Sequence, residues 1–245
     1  MAIILGDNGP NNLLGTRFAD QIRGFGGDDT ISAGAGHDIV DAGEGNNSVF
    51  GGEGNDVITT GTGMDTVNGG AGHDRINTAG GNDLIYGGTG NDHIESGGGN
   101  DLIYSGQGHD VIFAAFGNEQ IFAGDGNDIV DAGQGDDLVM GGLGFDRLSG
   151  SGGRDTLDGG LGNDTMTGGG GADIFIFNSG IDRITDFSLR VDKIDLSAFR
   201  QIDDIDDVRA NARDMGGDVI VTLGQNQLVI EDTKLDHLTG SDFIF

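Results

Sequence analysis

The stretch G-G-T-G-N-D-H-I-E, residues 87–95, puts four glycines, an Asn-Asp pair and one isoleucine into nine positions. Neither a helix nor an ordinary strand tolerates so much glycine. The stretch recurs as GGEGNDVIT at 51–59 and GGAGHDRIN at 69–77. With Gly87 as position 1, steps of nine hold register from Gly6 to Ile176 without an insertion, giving 19 units. Position 8 is apolar in every unit, and position 4 is glycine in all but one, where Phe18 stands. Position 6 is aspartate in 16 of the 19, the others being Asn11, Asn47 and Glu119.

A glycine-rich linker would need no apolar residue every nine positions. One apolar residue in nine cannot build a core within its own unit, but stacked units can share one. Positions 7 to 9 read as a short strand, out, in, out. Positions 1 to 6 read as a turn, where glycine supplies positive φ. Two turns and two strands close a coil of 18 residues, and the expected fold is an all-β, two-sheet parallel solenoid. Its coils stack aspartate over aspartate, a like-charge ladder that is unfavourable unless a cation intervenes. Carboxylates and turn carbonyls are hard oxygen ligands, which suit Ca²⁺. With no cysteine and five histidines, zinc or copper is a poor match.

These residues resemble the G-G-x-G-x-D-x-U-x nonapeptide of the RTX (repeats-in-toxin) calcium-binding proteins. The resemblance covers 6–176 and implies a parallel β-roll with Ca²⁺ held between successive turns at each edge. It implies as ligands the position-6 aspartates with backbone carbonyls of turn glycines, among them Gly51, Gly54, Gly69, Gly72, Gly87, Gly90, Gly141, Gly144, Gly159 and Gly162. One edge carries Asp20, Asp38, Asp56, Asp74, Asp92, Asp110, Asp128, Asp146 and Asp164 without a break. The other carries Asp29, Asp65, Asp83, Asp101, Asp137, Asp155 and Asp173, interrupted by Asn11, Asn47 and Glu119. Eight gaps on the first edge and four on the second are flanked by two aspartates. Twelve Ca²⁺ there would offset most of the net charge of −29. Sites at Asn47 and Glu119 are expected to be weak or missing.

Composition changes after residue 176: 46 of 51 glycines precede it, and seven of 12 basic residues follow it. The sequence therefore divides into a roll, 1–176, and a C-terminal segment, 177–245. Within the latter, ITDF (184–187) and DKIDLSAF (192–199) resemble the C-terminal domain of serralysin-type RTX proteases, over roughly 173–245. DVIVTL, GQNQ and LVI read as a hairpin, and the segment is expected to cap the open end of the roll. The resemblance also implies an uncleaved type I secretion signal at the C-terminus, here Asp242-Phe243-Ile244-Phe245. The start, MAIILGDNGP, lacks the basic region of a secretory signal peptide.

The acidic charge disfavours nucleic acid and anionic membranes as partners and attracts cations. No apolar run is long enough for a membrane helix. No H-E-x-x-H, G-x-S-x-G or cysteine nucleophile is present, and the serralysins' protease domain has no counterpart before the roll. The expected protein is secreted and non-enzymatic, folds on calcium, and acts at a cell surface or in an extracellular polysaccharide matrix. The alternative is a polysaccharide-modifying enzyme of the alginate epimerase type, built on or beside the roll, or a protease remnant. His37, His73 and His109 share position 5, but two coils separate neighbours by about 9.6 Å, too far for one metal. Their alternation with Asn55, Asn91 and Asn127 reads as a trace of two-coil duplication. An outward row on one sheet, including Tyr86, Tyr104, Phe122 and Met140, reads either as a binding surface or as a stiffening ladder.

Overall fold

Position 8 sets the architecture. Ile76, Ile85, Ile94, Ile103, Ile112 and Ile121 are fully buried, each contributing about 1.5–3 kcal/mol of burial. In the computed structural model, which describes all 245 residues, strands one coil apart pair in parallel. The pairs are unshifted, Ile85 with Ile103 and Ile94 with Ile112. Alternate strands join one sheet, from Ile3–Leu5 to Ile181–Ile184, and the rest join a second, from Asn12–Thr16 to Lys193–Asp195. The fold is the parallel β-roll expected from the spacing. No helix is long and apolar enough to cross a membrane.

The two sheets are not equivalent, which the nine-residue repeat alone does not reveal. One has strands of three residues, such as His93–Glu95. Strands of the other run on into the next unit, as in Leu84–Thr89. The difference lies at position 2. After the long strands position 2 has φ between +101° and +116° from Gly34 to Gly142, a region open only to glycine, and +87° at Gly160. After the short strands φ is +61° to +99°, nearer the left-handed helical well that side chains can enter at a cost. Phe25, Ala79, Ala115 and Ser151 occupy position 2 with positive φ on that edge, whereas Thr16, at position 2 after a long strand, does not take positive φ. Position 4 has positive φ on both edges, as at Gly54 and Gly63.

The nonapeptide geometry runs one unit beyond Ile176. In 177–185, Gly180 takes positive φ at position 4, and Asp182 and Ile184 are buried at positions 6 and 8. Beyond it, Asn226–Ile230 adds in parallel to Ile181–Ile184 and turns back antiparallel on Asp218–Leu223, which pairs with Ala212–Met215. The expected hairpin is present, with its turn tightened to Gly224-Gln225. The other sheet ends on Phe243–Ile244, paired with Lys193–Asp195. A short helix, Ile205–Ala210, is capped by the Asp204 carboxylate. Here the core widens, and Phe177 stacks on Phe199 with ring centroids 5.1 Å apart.

Ile103 and Ile129 are matched probes of the inward and outward faces. Ile103→Ala should cost about 2–5 kcal/mol, and Ile129→Ala, at 43% exposed, about 0.5 kcal/mol or less. Urea denaturation at saturating calcium reads both, and equal losses would contradict the assignment of faces.

Candidate metal centres

Every predicted aspartate ligand lies inside the roll, none more than 3% exposed. The backbone forces this, because position 6 is inward in the same alternation that buries position 8. Each Oδ1 accepts the backbone N–H of the residue one coil earlier, in most cases another aspartate. Asp74 N–H donates to Asp92 Oδ1 at 2.9 Å, and Asp92 N–H to Asp110 Oδ1 at 2.8 Å. The first-edge ladder continues past Asp164 to Asp182. The second ends at Asp192, which accepts from Asp173 at 3.0 Å. Sequence reasoning missed both residues. An 18-residue step from Asp164 reaches Asp182, whereas one extra residue hides Asp192 from the period.

The other oxygen has no partner. From Asp29 to Asp182, Oδ2 of each position-6 aspartate is buried without a hydrogen bond. Leaving such an atom unsatisfied is costly, so a row of them calls for a cation. Asp20 is the exception among the predicted ligands: its Oδ2 accepts from the Thr16 N–H at 2.7 Å and hydroxyl at 2.8 Å. The Thr16 turn lacks glycine at positions 2 and 4.

The space beside position 1 shows which oxygens converge. A Cβ on Gly69 would lie 2.5 Å from Asp74 Oδ2 and 2.6 Å from the Gly87 carbonyl oxygen. On Gly87 it would lie 2.7 Å from Asp92 Oδ2 and 2.5 Å from the Ser105 carbonyl. On Gly51 the pair is Asp56 Oδ2 at 2.7 Å and the Gly69 carbonyl at 2.5 Å. Each void thus joins a carboxylate of one coil to a position-1 carbonyl of the next. Among the predicted glycines, the carbonyls of Gly69, Gly87 and Gly159 face Asp56, Asp74 and Asp146 in this way. The position-4 glycines Gly54, Gly72, Gly90, Gly144 and Gly162 bend the turn through positive φ. An all-oxygen donor set closing around a buried anion fits Ca²⁺.

Burial pushes the carboxyls up, and the carboxylates above and below add to it against the backbone N–H bonds that oppose it. Asp92, Asp128, Asp155 and Asp182 reach about 7, and Asp56, Asp83, Asp146 and Asp164 about 6. Glu119 is raised by burial and then by Asp137 beside it. Both its oxygens are buried without partners, so the longer side chain leaves two unsatisfied acceptors where an aspartate leaves one.

Position 5 carries a second ladder, which gives the histidines a structural role. His37 Nδ1 accepts the Asn55 N–H at 2.7 Å, Asn55 Oδ1 accepts the His73 N–H at 3.0 Å, and the alternation runs on to Phe145. Asn and His share an acceptor at the δ1 position. The signal was the enrichment of that acceptor, not the spacing of imidazoles.

The family described as RTX calcium-binding nonapeptide repeat (4 copies) matches five consecutive blocks: 5–40, 41–76, 77–112, 113–148 and 149–184. The chain belongs to the RTX calcium-binding repeat family. Its cofactor is calcium, in multiple ions. A comparison with curated proteins returns no match. Among solved structures, the chain is similar to the extracellular lipase LipA from Serratia marcescens, at 21% identity and a TM-score of 0.42. The match covers 81% of this chain and 40% of the lipase chain. It is also similar to a hyperactive, Ca²⁺-dependent, β-helical antifreeze protein from an Antarctic bacterium, at 22% identity and a TM-score of 0.47. That match covers 80% of this chain and 74% of the other. Likenesses this distant carry no functional weight.

The raised carboxyls of this RTX roll give the calcium-free protein a defined pH response. Between about 4 and 7 the folded chain holds protons that the unfolded chain releases, so metal-free stability falls as pH rises through that window. Calcium-stripped protein should show more sheet by circular dichroism at pH 5 than at pH 7.5. Equal sheet content at both would contradict the raised values.

Proposed function

We propose that this protein is an extracellular, non-catalytic RTX roll that stays unfolded where calcium is scarce and folds where calcium is millimolar. The row of buried, partnerless Oδ2 atoms carries this reading. Without a counter-ion each coil adds a buried charge to the one below. With calcium, binding energy becomes folding energy. The net charge of −29 works the same way, since self-repulsion favours an expanded chain.

Export by a type I transporter fits this behaviour. In the folded state Asp242 is fully buried and accepts the Arg190 N–H at 2.8 Å, and Phe243–Ile244 is paired as a strand. A tail held this way can be read only before folding, and residues 177–245 then close the end of the roll. A non-catalytic role is supported by where the perturbed acids lie. Such groups usually mark active sites, but here they are sealed inside the roll, beyond a substrate's reach. Outside the cell the role is interaction with a surface or a polysaccharide matrix, supported by the exposed apolar side chains of Phe50, Tyr86, Tyr104 and Met140.

Circular dichroism tests the folding step: chelator at neutral pH should abolish sheet, millimolar Ca²⁺ should restore it, and Mg²⁺ should substitute poorly because it prefers a tighter octahedral shell. Sheet content unchanged by chelator would overturn the reading. Asp92→Ala should move the calcium midpoint to higher concentration. Deleting Asp242–Phe245 should retain the protein in cells that carry its transporter, and undiminished export would place the signal elsewhere.

A further inference from the structure

Asn47 keeps its place in the ladder. Its Oδ1 accepts the Asp29 N–H at 3.0 Å, and its own N–H donates to Asp65 Oδ1 at 2.7 Å. The first bond fixes which amide atom faces which way, so Nδ2 points where the aspartates present Oδ2. It donates to the carbonyls of Gly43 and Gly45, each at 3.1 Å, and of Thr60 at 3.3 Å. These are positions 2 and 4 of the same turn and position 1 of the next coil. The last is the carbonyl type that faces Asp74 Oδ2 across the void at Gly69. In an aspartate turn an ionised Oδ2 brings no proton to that carbonyl.

We propose that the Asn47 carboxamide takes the place of a cation, so that this turn closes without metal and divides the second edge's calcium array between Asp29 and Asp65. The proposal rests on the calcium reading above. The amide supplies two N–H donors to three carbonyls, one of them of the type that elsewhere faces a carboxylate oxygen, and no buried charge remains to be neutralised. Glu119 departs in the opposite sense: both its carboxylate oxygens lack partners, so that turn keeps its demand for a cation. Asn47 and Glu119, two of the three exceptions to the aspartate rule on this edge, are therefore not equivalent.

Anomalous diffraction from crystals grown in calcium tests this directly. The wild-type protein should show peaks beside Asp29 and Asp65 and at Glu119, but none beside Asn47. Asn47→Asp should gain a peak at that turn, and Asp92→Asn should lose the one at its own. A wild-type peak at Asn47, or a folded Asn47→Asp without one, would overturn the proposal. Absence of peaks everywhere would instead defeat the calcium reading. If Asn47→Asp does not fold, amide exchange in the calcium-loaded wild type decides: the Asn47 side-chain protons should exchange at least tenfold more slowly than those of exposed asparagines, and equal rates would refute the carbonyl contacts.

Discussion

A buried carboxylate oxygen with nothing to accept is the constraint on which this molecule depends. Each position-6 aspartate spends one oxygen locking its coil to the previous one, and each but Asp20 leaves the other without a partner. That second oxygen cannot reach water, because the alternation that buries the isoleucines buries the carboxylates too. The core therefore has an apolar centre flanked by two anionic rows, and its stability is tied to what neutralises them. Protons serve near and below neutrality; calcium serves at any pH where the carboxylates are ionised. One residue, Asn47, meets the demand with its own amide.

The coils are held by side-chain ladders of opposite polarity as well as by the sheets. At position 6 the later coil supplies the acceptor and the earlier coil the N–H. At position 5 the earlier coil supplies the acceptor, as His73 does for the Asn91 N–H at 2.6 Å. Each turn is thus tied upward by one side chain and downward by the next. The outer faces add little that is comparable. Tyr86, Tyr104 and Phe122 stack with ring planes 9° and 11° apart and centroids at 5.3 and 4.9 Å. Their faces are turned to each other and their edges to solvent.

The period, the inward position 8 and the aspartate rows were legible in the sequence because each recurs at every unit. What the repeat obscured was what differs between its two halves. The long and short strands share one consensus, and φ at position 2 separates most of them, although Ala79, Ala115 and Ser151 marked the tolerant edge. Asp182 was hidden because Phe177 and Asn178 replace the glycines that announce a unit. Asn47 could be seen as a departure, but not as a solution, since its value lies in three carbonyls brought together by folding. Glu119 was legible as an irregularity of length, whereas its two unpartnered oxygens depend on burial.

The inequality of the two edges limits how such a chain can change length. Removing or adding one nonapeptide would keep the consensus intact yet move every later unit to the opposite edge. Ala79 and Ala115 would then fall where φ beyond +100° is needed, and the short strands would have to continue where their turns now begin. Removing 18 residues leaves each unit on its own edge and both ladders in phase. The roll can therefore be lengthened or shortened in whole coils but not in single repeats, so its quantum of growth is twice its sequence period.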